Sequence, residues 1–235
     1  MTTTTAPLVL IAGGSSAAGI ATATALVQGR FRVLTVGSDA ARIGAAAALT
    51  GGAVPLTCDL ADADAVAALA AQVHADFGPV DGLIHLVGGW RGGKDLAAQS
   101  DDDWDFLHRS VLTTLRNTSR AFYGDIAASA NGRIAIVSST QVTAPTLGNA
   151  NYATVKAAAE TWVGALAQGL GTPDGATGPA AVVLVVKALV DPGMREKSPE
   201  RTFPGFTDVS TLGHTVVRLF STPASELNGS RLILS

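Results

Sequence analysis

Residues 7–29 read PLVLIAGGSSAAGIATATALVQG, and the change of rhythm inside this stretch decides the fold. Leu8 to Ala12 make a short unbroken apolar run, the pattern of a strand covered on both faces. Two glycines and two serines follow, and small and aliphatic residues then continue past Ala17 without a proline, as in a helix packed closely on a sheet. The same alternation recurs downstream: "RVLTVG" then "DAARIGAAAAL", and "AVPLTC" then "ADADAVAALAAQVHADFG". It continues with "GLIHLVGG", a helix across residues 101–129, "GRIAIVSS", a long helix around Tyr152, "AAVVLVVKAL", a helix near "VSTLGHTVVRLF" and a closing "RLILS".

Seven strands alternating with helices predict an α/β chain, a doubly wound, mostly parallel sheet with helices on both faces. Residues 1–235 read as a single domain, without a repeat or a low-complexity linker. A net charge of -3 with no basic block points to a small-molecule substrate, with neither nucleic acid nor a membrane surface as partner. No apolar run approaches the roughly 20 residues that span a bilayer. Cys58 is the only cysteine, which excludes an internal disulfide and a thiolate metal cluster. His74, His85, His108 and His214 lack metal-ligand spacing, and no metal is expected. The opening residues lack the charged start of a secretory signal, so a cytoplasmic protein is expected.

In a doubly wound sheet, ligands bind beyond the carboxyl ends of the strands. The first turn offers Gly13, Ser15, Ser16 and Gly19 as cofactor contacts, because glycines let a backbone approach a pyrophosphate at a helix N-terminus. Such a turn is also found with nothing bound; its place on the first strand of a βαβ array favours a nucleotide. At the end of the second strand, where an acid would accept the ribose hydroxyls of NAD, stand Gly37 and Ser38. Asp39 reads as a helix cap, and with Arg42 nearby the turn leans to NADPH. Asp59, on the third turn, either accepts from an adenine amino group or caps the next helix.

Tyr152 and Lys156 lie four residues apart, on one face of the long helix. A neighbouring ammonium favours the phenolate, so the lysine is expected to lower the tyrosine's pKa and fit it for proton transfer. Ser139, ending "GRIAIVSS", is placed to hydrogen-bond the same developing anion.

"GGSSAAG" on the first turn, "SS" ending the fifth strand and "YATVK" beginning thirteen residues after Ser139 resemble the short-chain dehydrogenase/reductase family over essentially the whole chain. The resemblance implies a Rossmann-type fold, an NAD(P)H cofactor, Tyr152 as acid/base assisted by Ser139, Lys156 on the nicotinamide ribose and Gly88 against the cofactor. It also implies a homodimer or homotetramer formed through the helices containing Trp104 and Tyr152. The chain departs from the family pattern at Ala17, at "HLVG" from His85 to Gly88, at Val111 where a catalytic asparagine is usual, and at Lys187, Ala188 and Pro192. "LVGGWRGGKDL" and "LVDPGMREKSPE" resemble the dihydropteridine reductase branch, from which Ser139 and Gly37 depart.

Trp90, between glycine pairs, reads as a wall for a flat heterocycle or as a plug holding a loop. Arg91 beside it and Met194 complete the candidate substrate contacts. Lys187 ends a very apolar strand and either faces the cofactor or is exposed. Residues 191–210, rich in Pro, Gly and charge, read as a lid over the substrate or a long surface loop. The readings that follow are a reductase of a small C=O or C=N group, a dihydropteridine reductase, and a dinucleotide-binding sensor or subunit without turnover.

Overall fold

The structure is a computed structural model that describes residues 6–171 and 177–234. Its first half runs β1 (Leu8–Ala12), α1 (Ala17–Gln28), β2 (Arg32–Gly37), α2 (Ala40–Ala48), β3 (Val54–Thr57), α3 (Ala63–Asp76) and β4 (Gly82–His85). It continues through α4 (Asp101–Leu107), α5 (Thr114–Ala128), β5 (Arg133–Ser139), α6 (Ala150–Leu170) and β6 (Ala180–Val186). The chain then forms β7 (Leu189–Val190), α7 (Pro192–Lys197), β8 (Thr207–Asp208), α8 (Val209–Leu219), α9 (Ala224–Leu227) and β9 (Arg231–Ile233).

Seven strands pair in the order β3-β2-β1-β4-β5-β6-β9, every pairing parallel. The chain winds outward from β1 to β3 and returns to β4 on the other side of β1, so the order reverses there and a crevice opens beyond those two strands. One face of the sheet is covered by Val73 of α3, Phe122 of α5 and Val163 of α6. The other is covered by Leu26 of α1 and Leu212 and Val216 of α8. Both clusters are continuous, as the unbroken apolar strands require. Arg133, at the start of β5, is fully buried and donates to the carbonyls of Gly132, Gly178, Leu219 and Thr222. It ties the sheet to the carboxyl end of α8, where a cation complements the helix dipole.

Three details depart from the sequence expectation. The helix expected across 101–129 is interrupted by a π-helical turn at His108–Thr113, which carries the buried Val111. The strand read through "AAVVLVVKAL" ends at Val186, and Leu189–Val190 pair instead with Thr207–Asp208 in a separate two-stranded sheet. The segment 191–210 is therefore not all loop: it opens with α7, whose cap Asp191 accepts from the Met194 amide, and closes in β8 and the start of α8. No helix among the described residues is long and apolar enough to cross a membrane.

Candidate active site

The turn after β1 is shaped by its glycines. Gly13 has φ +88°, and a Cβ on it would lie 2.9 Å from the Leu86 carbonyl carbon; a Cβ on Gly19 would lie 2.5 Å from the Gly13 oxygen. The Gly13 and Gly14 amides donate to the Val36 carbonyl at 3.0 and 3.1 Å, fixing the turn to β2. Ser16 caps α1, its Oγ accepting from the Gly19 amide at 3.0 Å. Gly19 is thus a packing requirement of the turn, whereas Gly13, Ser15 and Ser16 line the crevice.

That crevice has two lobes that share Leu86, Val87 and Gly88. The first, about 480 Å³, is also lined by Ser38, Arg42, Asp59, Phe106, Arg109 and Ser110. Asp39 caps α2 as read from the sequence, and Arg42 lies 3.6 Å from it. Asp59 accepts from the Ala61 amide at 3.0 Å and from Arg109 Nη2 at 2.7 Å, but the cap of α3 is Asp62, so of the two sequence readings Asp59 keeps only its place in the lobe. Ser110 Oγ is buried with no hydrogen-bond partner among the described residues. A crevice at the reversal of strand order, opening beside the N-terminus of α1 and carrying an orphaned hydroxyl on its wall, fits a dinucleotide.

The second lobe, about 380 Å³, is lined by His85, Trp90, Ser139, Gln141, Tyr152, Lys156 and Lys187 among others. Parallel β5 and helix α6 bring Ser139, Tyr152 and Lys156 together. Lys156 is 7% exposed, and its Nζ donates to the Val137 carbonyl at 2.7 Å and lies 5.9 Å from the Tyr152 ring centroid. Burial brings its ammonium down to about 8, with Glu160 pulling back up. One turn further along α6, Glu160 accepts from Ser138 Oγ and from Arg231 Nε, the latter at 3.0 Å, and Arg231 also donates to the Ser139 carbonyl at 3.2 Å. The carboxylate thereby braces the end of β5 from which Ser139 projects.

The expected lowering of the Tyr152 pKa is not what the structure gives. Burial pushes the phenol up from its ordinary value, and a hydrogen bond with Ser139 pulls down only partly. Desolvation outweighs that hydrogen bond in the resting site. The phenol is held protonated at neutral pH.

His85 is 3% exposed and its Nε2 lies 2.9 Å from Thr114 Oγ1. The Thr114 hydroxyl already donates to the Ser110 carbonyl, so His85 Nε2–H is the donor to it. Burial, then the Lys156 charge, push the imidazole down to about 3. It is a neutral packing group, as the sequence reading held.

Trp90 is 58% exposed on the cleft wall. Arg91 turns away: its guanidinium stacks on Phe106 at 3.9 Å and faces Asp103 at 3.5 Å, outside the cleft lining. Met194 sits half-buried in α7, also outside that lining. Lys187 lines the cleft, but its ammonium donates to the Pro204 carbonyl at 2.9 Å, joining the sheet to the 191–210 segment. Sequence reasoning passed over Arg109, Ser110, Gln141 and Glu160. The four-residue spacing from Lys156 was a usable signal for Glu160, and the position two residues after Ser139 for Gln141.

Comparison with known proteins places the fold and the family. The chain is 32% identical over 114 residues to nodulation protein G of Azospirillum brasilense, covering 48% of this chain and 46% of that protein. It is 28% identical over 159 residues to an acetoacetyl-CoA reductase of Shinella zoogloeoides, covering 68% and 66%. The matches thus span about half to two thirds of those relatives. The NADPH-bound short chain oxidoreductase of Pseudomonas aeruginosa PAO1, described as containing an atypical catalytic center, superposes with a TM-score of 0.84 at 20% identity, over 97% of this chain and 95% of that one. The short chain dehydrogenase family model matches residues 7–201, and the chain belongs to that family of NAD(P)-dependent oxidoreductases.

Proposed function

We propose that the chain reduces a small C=O or C=N substrate in the second lobe, with Tyr152 as proton donor. The observation that carries this reading is the convergence of Ser139, Tyr152 and Lys156 in one cleft at the carboxyl ends of β4, β5 and β6. A reduced nicotinamide supplies hydride when bound. Tyr152, whose phenol burial keeps further toward the protonated form, holds a proton at Oη for the substrate oxygen or nitrogen that gains negative charge. Ser139 Oγ hydrogen-bonds that atom, and the Lys156 charge lowers the cost of phenolate as the proton leaves. Gly13, Ser15, Ser16, Ser38, Asp59 and Gly88 hold the dinucleotide along the crevice, with Lys156 on its ribose and Lys187 at the margin. Arg42 in the first lobe, with no acid ending β2, supports NADPH over NADH. Self-association through the helices containing Trp104 and Tyr152 belongs to the same reading.

The exposed indole of Trp90 on the cleft wall favours a second reading, dihydropteridine reduction, in which a flat ring stacks there. The deciding experiment follows oxidation of NADPH and NADH with quinonoid dihydropterin, aldehydes, ketones and cyclic imines, with Tyr152→Phe alongside. Turnover that drops roughly 10²–10⁴-fold in the variant supports the reductase. Tight coenzyme binding with no turnover across the panel would instead favour a dinucleotide-binding sensor.

A further inference from the structure

Gln141 stands where β5 has ended and a short 3-10 turn, Thr140–Val142, begins. Its backbone amide donates to Ser139 Oγ at 3.1 Å, which fixes the residue beside the reacting groups. Its side chain lines the same cleft as Ser139 and Tyr152, and its Oε1 is buried with no hydrogen-bond partner. A buried amide oxygen without a donor carries a desolvation cost that nothing offsets. Most buried side-chain acceptors in folded proteins are satisfied, so one without a donor in a residue beside a substrate cleft marks where a ligand donor belongs. Three other polar groups of the lobe are already engaged: Lys156 with Val137, Lys187 with Pro204, and His85 with Thr114.

We infer that Gln141 is a specificity-determining residue, and that the substrate carries an O–H or N–H donor next to its reducible carbon, which Oε1 accepts. This rests on the assignment of the second lobe as the substrate site. The class is that of α-hydroxy ketones and their nitrogen analogues, distinguished from simple ketones of the same shape. A site built to accept such a donor discriminates strongly against the analogue lacking it, because the buried acceptor is then left unpaired.

The test compares 2-hydroxyacetophenone with propiophenone, which replaces the hydroxyl by a methyl. Dissociation constants are measured calorimetrically on the NADP⁺-loaded wild type and on Gln141→Met, which keeps length and removes the amide. The expected result is at least about tenfold tighter binding of the hydroxy ketone by the wild type. In the variant the preference collapses toward unity, while propiophenone affinity changes little. Equal affinities in the wild type, no measurable affinity for either ketone, or a preference that survives in Gln141→Met would overturn the inference. Tighter binding of 1-phenylpropane-1,2-dione than of the hydroxy ketone would overturn it too, because the amide would then be presenting its NH₂. Turnover of the ketones is scored separately with Tyr152→Phe, so loss of the reductase reading and loss of the Gln141 assignment give different results.

Discussion

The two lobes of the crevice are built on opposite principles. At the first, charge lies on the surface: Arg109 and Asp59 pair at 2.7 Å with side chains 63% and 53% exposed, and Arg42 stands 70% exposed beside Asp39. At the second, Lys156 and His85 are buried and Tyr152 is partly so, and desolvation governs all three: Tyr152 goes up, Lys156 comes down to about 8 and His85 to about 3. A pair in high dielectric is worth little and is easily replaced. A buried group is sensitive to every neighbour and sets a reactivity. The difference is that side chains are held in place by burial and hydrogen bonds in the second lobe and are left solvated in the first.

Removing the buried cation should sharpen the contrast most. Lys156→Met is expected to lower kcat/KM by about 10²–10³-fold, the scale of one preorganised electrostatic contact. The wild type needs the ammonium charged, so its kcat/KM should fall as pH rises through about 8, with that limb absent from the variant's residual activity. A wild-type profile flat from neutrality to about pH 10 would break the idea that burial tunes this lysine.

A smaller effect is expected on stability. The folded-state pKa of His85 lies near 3, below its ordinary 6.5, so between those values the unfolded chain binds more protons. Stability is fully present above 6.5 and is lost as pH falls toward 3. Urea unfolding of wild type and His85→Gln, whose amide retains a donor for Thr114, should show the wild type losing about 3 kcal/mol more between neutral pH and about pH 4. Parallel pH dependences would mean that His85 is hydrated in the folded protein.

Periodicity made most of the fold legible: all seven strands of the main sheet and the long helices follow from apolar runs of two lengths. What stayed hidden depends on contacts between distant residues. The π-helical turn at His108–Thr113 shifts register without changing composition, so a single helix was expected. Lys187–Ala188 reads as a continuing strand because nothing local announces that Leu189 will pair with Thr207. In the cleft, the convergence of Tyr152, Lys156 and Ser139 was legible from spacing. The sense of the Tyr152 shift was not, because spacing gives the neighbour and only the packed structure gives the desolvation. Gln141 likewise acquires meaning only when its oxygen is seen to lack a donor.

The smallest effect tests the surface half of the comparison. Arg109 comes from the π-helical turn and reaches Asp59 across the first lobe, so it borders the space assigned to adenosine without being locked there. An exposed pair contributes about 0.2–1 kcal/mol, so Arg109→Ala should weaken the NADPH dissociation constant by no more than about 2- to 5-fold. Because the pair is solvated, most of that difference should vanish when ionic strength rises from about 0.05 to 0.5 M. Fluorescence titrations at the two salt concentrations read both quantities. A loss above about tenfold, or one indifferent to salt, would mean that Arg109 holds the nucleotide as firmly as Lys156 is held on β5, and the two ends of the crevice would then obey the same rule.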